Sequence, residues 1–121
     1  MVGEARIVVL GATGMLGSTL VPYLRSSGHN IVTHSKTNTA ADVRFDLSDW
    51  ESSHSSLSAI QPNTIINLVG LTNVELCQEQ THTAYLANTR TVENLVRWIK
   101  QSPSPCHLIQ ISTDHFYSGE L

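Results

Sequence analysis

Short apolar runs alternate along the chain with stretches whose apolar residues recur every three or four positions. Continuous runs rich in β-branched residues are typical of strands that are buried on both faces of a parallel sheet. Five such strands are predicted, at residues 6–10, 30–34, 43–45, 64–69 and 107–112. The third is the weakest of them, because only Val43 and Phe45 alternate there with polar neighbours.

Three helical stretches separate these strands, and each is followed by a residue or segment that stops helices: Gly28, Pro62 and the "SPSP" of residues 102–105. In the second helix, Ser48 and Glu51 have the spacing of a capping box, with Ser48 as the N-cap. The residues predicted to form the apolar faces are Leu16, Leu20 and Leu24 in the first helix, Trp50, Leu57 and Ile60 in the second, and Leu86, Val92, Leu95, Val96 and Ile99 in the third, which spans residues 83–100.

The alternation of strands and helices predicts an α/β fold. A strand, a helix and a parallel strand are joined by a right-handed crossover, and repetition of this unit places helices on both faces of a parallel sheet. There is no internal repeat and no linker that would separate a second domain. Residues 1–121 are therefore predicted to form one domain with short loops.

The first turn of the chain carries three glycines, Gly11, Gly14 and Gly17, directly after the first strand and at the start of the first helix. This context is required before a glycine triplet indicates a dinucleotide site. Gly11 would permit the tight turn, Gly14 would let a pyrophosphate approach the backbone, and Gly17 would let the helix pack closely on the strand. The helix N-terminus and the Thr13 hydroxyl would then donate hydrogen bonds to the phosphates. The alternative is a purely structural turn without a ligand.

The end of the second strand lacks the carboxylate that commonly binds the ribose hydroxyls of NAD. The residues there are His34, Ser35 and Lys36, and these, with His34 protonated, would suit the 2′-phosphate of NADP(H). We therefore expect NADP(H) to be favoured, with NAD(H) as the alternative cofactor. The alternative for Lys36 is a solvated loop lysine that binds no ligand. Asp46 follows the third strand and would accept a hydrogen bond from the adenine amino group.

Composition restricts the remaining classes of function. The chain has 121 residues, 40% hydrophobic and 14% charged, which suits a soluble globular domain. Its net charge of −3 and its scattered Lys and Arg residues argue against a nucleic acid or an anionic membrane as partner. No apolar run approaches the roughly 20 residues of a membrane helix. Cys77 and Cys106 lie far apart, which is typical of thiols in a reducing cytosol, and the six His lack the spacing of metal ligands.

Several segments together resemble the extended short-chain dehydrogenase/reductase superfamily, and in particular the dTDP-4-dehydrorhamnose reductases. The segments are "GATGMLG", "DLSD", "IINLVGLTNVELCQ", "AYLANTRTVENL" and "LIQISTDHFYSG", in that order, and they extend over nearly all of the chain. The resemblance implies a Rossmann-type doubly wound parallel sheet with strand order 3-2-1-4-5. It also implies an NAD(P)H-dependent reductase of a nucleotide-sugar 4-keto group.

The resemblance further implies roles for residues at matching positions. The pyrophosphate would lie on Gly14, Met15 and Leu16, the adenine on Asp46 and Leu47, and the nicotinamide ribose on Val69, Gly70 and Leu71. Asn88 would face the active site, or would satisfy buried backbone groups. Ser112 and Thr113 would contact the substrate, and the Thr113 hydroxyl would bind its carbonyl. Leu68 and Val69 are bulkier than the alanines frequent in relatives, which is a departure from the pattern.

The superfamily's catalytic Tyr-x-x-x-Lys pair is not found in these 121 residues. Tyr23, Tyr85 and Tyr117 each lack a Lys four positions later. We therefore expect the chain to be the cofactor-binding first half of a longer reductase, whose edge at the fifth strand would promote self-association. The alternatives are a non-catalytic NADP-binding regulatory subunit, resembling that of methionine adenosyltransferase, and a stand-alone nucleotide-binding module.

Overall fold

The computed structural model describes residues 6–69 and 89–111. Within these ranges the predicted alternation is confirmed. The elements are β1 (Arg6–Leu10), α1 (Met15–Ser26), β2 (Asn30–Ser35), β3 (Val43–Arg44), α2 (Trp50–Ile60), β4 (Thr64–Asn67), α3 (Thr91–Gln101) and β5 (His107–Gln110). The start predicted for the third helix, including Leu86, lies outside the described residues.

The five strands form one parallel sheet in the order β3-β2-β1-β4-β5, which confirms the predicted Rossmann-type topology. Val8 of β1 pairs with Val32 of β2 on one side and with Ile65 of β4 on the other. Successive strands are therefore added on one side of β1 as far as β3, and on its other side from β4 onward, so the direction in which the sheet grows reverses beside β1. In folds of this type, ligands bind outside the carboxyl ends of the strands at such a point.

Neighbouring residues of β1 point to opposite faces of the sheet, and each face has its own core. Val9, on one face, packs with Val21 of α1. Val8, on the other face, packs with Leu57 of α2 and Leu95 of α3. The central strand must therefore be apolar on both sides, which explains its continuous apolar run.

The first helix buries a different set of residues from the leucines predicted. Gly17 and Val21 are buried, and Leu20 and Leu24 pack at the edge of the same cluster. Leu16 is 51% exposed, so this part of the prediction was wrong. The helix approaches the turn residue Ala12 closely at Gly17, which places the buried line of α1 between the leucines.

The capping box predicted for the second helix is also corrected. Asp49, not Ser48, is the N-cap, and its carboxylate accepts from the Ser52 N–H at 3.0 Å. The Ser48 hydroxyl instead donates to Asp46 Oδ1 at 2.7 Å. The helix begins one residue later than the pattern indicated because Ser48 is engaged with Asp46.

The third helix buries polar groups that the apolar pattern did not indicate. Its buried residues are Thr91, Asn94, Leu95 and Trp98. Asn94 Nδ2 donates to the Leu47 carbonyl at 2.8 Å, and Trp98 Nε1 donates to Ser58 Oγ at 3.0 Å. Val96 is 37% exposed, contrary to prediction, because the helix turns the Asn94–Trp98 side toward α2. Trp50 of α2 is half-buried, with the Arg97 guanidinium 3.9 Å from its ring centre.

Candidate cofactor site

The glycine turn lies at the carboxyl end of β1, and two of its three glycines are required by the fold. Gly11 has a φ of +73°, and a Cβ there would lie 3.0 Å from Val69 Cγ2. A Cβ on Gly17 would lie 2.2 Å from the Ala12 carbonyl oxygen. Neither position therefore has room for a side chain, and at Gly17 the close neighbour is the turn residue Ala12 and not the strand that the sequence indicated.

Gly14 differs from its two neighbours. It is the N-cap of α1 with a φ of −76°, which any residue can adopt. Among the described residues, a Cβ built there would meet only the Gly11 carbonyl oxygen, at 3.7 Å. Residues 6–69 and 89–111 therefore give no steric reason for glycine at this position, and on their side the space above Gly14 is open to a ligand.

The N-terminus of α1 has the properties of an anion site. No side chain of residues 6–69 or 89–111 caps it, and its first turn contains no acidic residue. The first N–H groups of a helix have no partner within the helix, and they carry a partial positive charge. Met15 is 90% exposed at this end of the helix, and Thr13 is exposed before it. Phosphate groups are the anions that such termini commonly bind.

A shallow depression of about 210 Å³ lies beside the turn, on the flank of α1. Thr13 and Gly17 line it together with Arg25 and Asp42. The Arg25 guanidinium is 3.4 Å from the Asp42 carboxylate, which also accepts from the Thr33 N–H at 2.9 Å. These contacts attach the segment after β2 to the flank of α1.

His34, at the end of β2, does not have the role predicted for it. Its ring is 2% exposed, and both nitrogens contact backbone groups: Nδ1 accepts from the Gly11 N–H at 3.1 Å, and Nε2 lies 2.8 Å from the Phe45 carbonyl oxygen. Burial lowers the pKa of His34, against the opposing effects of the Phe45 hydrogen bond and the nearby Asp46 carboxylate. A protonated His34 that contacts a 2′-phosphate does not fit these contacts.

Ser35 and Lys36 follow His34 at the open end of the sheet. Ser35 Oγ accepts from the Asn38 N–H at 3.1 Å. The Lys36 side chain is 71% exposed, and its ammonium lies 3.8 Å from Asp46 Oδ2. Lys36 is therefore the member of the predicted trio that keeps an accessible charge.

Asp46 and Leu47 come after β3, on the side of the sheet predicted for the adenine. The hydrogen bond from the Ser48 hydroxyl is the main reason that the pKa of Asp46 lies below its ordinary value, and Lys36 acts in the same direction. Asp46 is therefore ionised at neutral pH and able to accept a hydrogen bond. Leu47 is buried, and its carbonyl accepts from Asn94 Nδ2.

The far side of the site is formed by the end of β4. Asn67 is fully buried; its Oδ1 accepts from the Val69 N–H at 3.0 Å, and its Nδ2 donates to Gln110 Oε1 at 2.8 Å. Asn67 thus fixes Val69 and joins β4 to β5. The apolar pattern did not indicate this role, although an Asn at the end of an apolar strand is a signal for it. The remaining predicted site residues lie outside the described residues: Gly70, Leu71, Asn88, Ser112 and Thr113.

Two classes of site are not found in the described part of the chain. Residues 6–69 and 89–111 contain no group of three or more His, Cys, Asp or Glu side chains placed to hold a metal ion. None of the helices in those ranges has both the length and the apolar character needed to cross a membrane.

A parallel sheet in this order, with a glycine turn opening α1 at the point of reversal, defines a Rossmann-type protein. The chain belongs to the NAD dependent epimerase/dehydratase family, whose model matches residues 7–120. A dTDP-4-dehydrorhamnose reductase from Aggregatibacter actinomycetemcomitans is 28% identical over 116 residues, which cover 95% of this chain and 37% of that protein. The chain thus spans well under half the length of this relative.

Solved structures agree with this assignment. The crystal structure of a hypothetical dTDP-4-dehydrorhamnose reductase from Sulfolobus tokodaii matches with a TM-score of 0.82 and 28% identity, over 95% of this chain and 41% of that one. A dTDP-4-dehydrorhamnose reductase from Bacillus anthracis, in complex with NADP, matches with a TM-score of 0.81 and 22% identity, over 100% of this chain and 40% of that one. The second likeness supports the fold.

Proposed function

We propose that this chain supplies the cofactor-binding part of an NAD(P)H-dependent reductase that acts on the 4-keto group of a nucleotide sugar. The observation that carries the proposal is Gly14, at the N-terminus of α1: no described side chain caps this end, and no contact among the described residues requires glycine there. The similarity to a dTDP-4-dehydrorhamnose reductase supports the substrate class. NADP(H) is favoured over NAD(H) because Lys36 is exposed where a carboxylate would be needed for NAD.

In this proposal each part of the site has one task. The pyrophosphate lies on the N–H groups of Gly14, Met15 and Leu16, and Thr13 adds a hydroxyl. Asp46 and Leu47 bind the adenine, Lys36 and Ser35 the 2′-phosphate, and Val69 to Leu71 the nicotinamide ribose. Thr113 donates its hydroxyl to the substrate carbonyl, and Ser112 and Asn88 line the same region. The cofactor, when bound, supplies the hydride.

Gly14→Ala tests the proposal with little disturbance of the fold. The added methyl has room within the protein but occupies the space needed for close approach of a pyrophosphate. We expect the Kd for NADPH, measured by fluorescence titration, to rise at least about ten-fold, which corresponds to roughly 1.4 kcal/mol. The rate of NADPH-dependent reduction of a dTDP-4-keto sugar, measured with the full-length protein, should fall as this affinity is lost.

Ser26→Ala is the matched control, because Ser26 ends the same helix far from the turn and its hydroxyl contacts only the Tyr23 carbonyl among the described residues. Its NADPH affinity should equal that of the wild type. Equal affinity of Gly14→Ala and wild type would exclude the turn as the phosphate site. Binding of NADPH without any reduction of the keto sugar would leave the cofactor site standing and refute the proposed reaction.

A further inference from the structure

His34 contacts two successive N–H groups of the glycine turn. Its ring Nδ1 accepts from the Gly11 N–H at 3.1 Å, and its own carbonyl accepts from the Ala12 N–H at 2.8 Å. Gly11 is the residue with the positive φ, at the point where the chain leaves β1. His34 therefore determines how the start of the turn is held against β2.

The other side of the ring reaches the segment that leads to the adenine side of the site. Nε2 lies 2.8 Å from the Phe45 carbonyl oxygen, one residue before Asp46, and the Phe45 ring centre is 4.5 Å from that of His34. A single buried side chain thus connects the phosphate side of the site to its adenine side. Neither contact is repeated by another side chain among residues 6–69 and 89–111.

These contacts define the protonation state of the ring. The Gly11 N–H can donate only to an unprotonated Nδ1, and the Phe45 carbonyl can accept only from a protonated Nε2. The ring is therefore neutral, with its hydrogen on Nε2. A second proton would occupy Nδ1 and remove the acceptor of the Gly11 N–H.

We propose that His34 is a positioning residue that holds the phosphate-binding turn in register with the Asp46–Leu47 segment, and that protonation of its Nδ1 releases the turn and weakens dinucleotide binding. The inference rests on the proposed function, because it assigns a pH-dependent control to the same site. It concerns the geometry of the turn and requires no contact between His34 and the cofactor.

The charges near the ring favour the neutral form at physiological pH. Burial is the main cause that lowers the pKa of His34. The Asp46 carboxylate, from the segment after β3, opposes this effect, but it is itself paired with Lys36 at the end of β2. The pKa of His34 in the folded protein lies below that of a free imidazole, which is about 6.5. The affinity for the dinucleotide should therefore be constant above that pH, and it should fall at more acidic pH as His34 takes up one proton.

Two amide variants separate the two ring contacts. The Asn side chain places an acceptor near the position of Nδ1 but does not reach Phe45, whereas the Gln side chain reaches Phe45 and leaves the Gly11 N–H without its acceptor. We expect His34→Gln to raise the Kd for NAD⁺ about ten-fold, as for a buried donor that loses its partner, and His34→Asn, which loses only the contact with Phe45, to raise it by a smaller factor. NAD⁺ is the probe because the 2′-phosphate of NADP⁺ would itself titrate, near pH 6.

The pH profile is the readout that a purely structural role would not change. Calorimetry over roughly pH 8 to pH 5, the range in which imidazoles titrate, should show that the wild-type affinity for NAD⁺ falls on acidification. The affinity of His34→Asn should not change with pH. His107→Gln, at an exposed strand position, is the matched control and should keep the wild-type profile. Imidazole ¹⁵N spectra of the free chain should show the Nε2–H form of His34.

The outcomes distinguish the two proposals. Absence of NAD⁺ and NADPH binding by the wild type at every pH would overturn the proposed function, and the role of His34 in cofactor binding with it. Binding by the wild type together with equal affinities for the Asn and Gln variants, or with a pH profile that survives in His34→Asn, would overturn only the role of His34. A ¹⁵N spectrum of the Nδ1–H form would contradict the geometry directly.

Discussion

Lys36 and Asp46 form an ion pair at 3.8 Å between two side chains that are 71% and 42% exposed. Pairs of this kind contribute little to stability, since water and salt screen both charges. Lys36 can therefore turn from Asp46 to a phosphate at small cost. In the proposed function, one lysine would therefore be sufficient to bias the site between two cofactors that differ by a single phosphate group.

At the residue scale, we expect Lys36→Asp to reverse the cofactor preference. The change removes the cation and adds a carboxylate that can accept from ribose hydroxyls, so the Kd for NADPH should rise about ten-fold or more while that for NADH falls or stays constant. Both constants are measured by fluorescence titration at fixed salt. Lys100→Asp, at the end of α3, makes the same change of net charge away from the site. Equal NADH and NADPH affinities in the wild type would refute the 2′-phosphate assignment.

At the element scale, the position of α1 depends on the absence of a side chain at Gly17. Helix propensity alone would favour alanine over glycine inside a helix by about 1 kcal/mol. Against this, a Cβ added to Gly17 would lie 2.2 Å from the Ala12 carbonyl oxygen, so the helix would have to move away from the turn that precedes it. The two effects have opposite signs, and a backbone clash of this depth outweighs the propensity.

Gly17→Ala should therefore destabilise the chain, by roughly 1–3 kcal/mol, in spite of the better helix former. The free energy of unfolding from urea denaturation measures the effect. Gly14→Ala, three residues earlier, is the matched control, because a Cβ there has ordinary van der Waals room and should change stability by less than about 1 kcal/mol. A stabilised Gly17→Ala would show that α1 is free to shift.

At the scale of the whole molecule, β5 lies at one edge of the described sheet. Leu108 pairs with Ile65 of β4 on its inner side, while Ile109 and Ile111 are each 39% exposed. An edge strand presents unpaired N–H and C=O groups, and apolar side chains beside them favour pairing with another chain. We therefore propose that the chain self-associates through β5, most simply as a two-fold dimer.

Ile109→Lys tests this proposal, because a lysine on an edge strand opposes pairing. Light scattering over a concentration series should give a mass that grows with concentration for the wild type and a constant 13.3 kDa for the variant. Val96→Lys is the control: Val96 is 37% exposed but lies on α3, away from the edge, so this variant should still associate. A monomeric wild type at high concentration would contradict the proposal.

Most of the elements could be predicted from the sequence because they depend on local patterns, whereas the sheet order was implied by the resemblance to a known superfamily. A continuous apolar run, as in β1, identifies a strand with two buried faces, and a glycine triplet after it identifies the turn. Leu57 and Leu95 were recognised as core residues in the same way, by their helical spacing. Chain direction and the right-handed crossover then leave few arrangements of such elements.

The details of the site depend on contacts between residues that are distant in the sequence, and no local period encodes them. His34 meets Gly11 across 23 positions, and Asn94 meets Leu47 across 47. A polar residue in a local pattern is predicted to face water or a ligand, whereas in the folded chain the cost of burying it is offset by one specific distant partner. The amino-acid pattern therefore determined which elements form, and the resemblance of its motifs to a known superfamily indicated the order in which the strands pair. Only the tertiary structure decided that His34 is a neutral internal link, because the backbone groups that make it so come together only when β1, β2 and β3 are assembled.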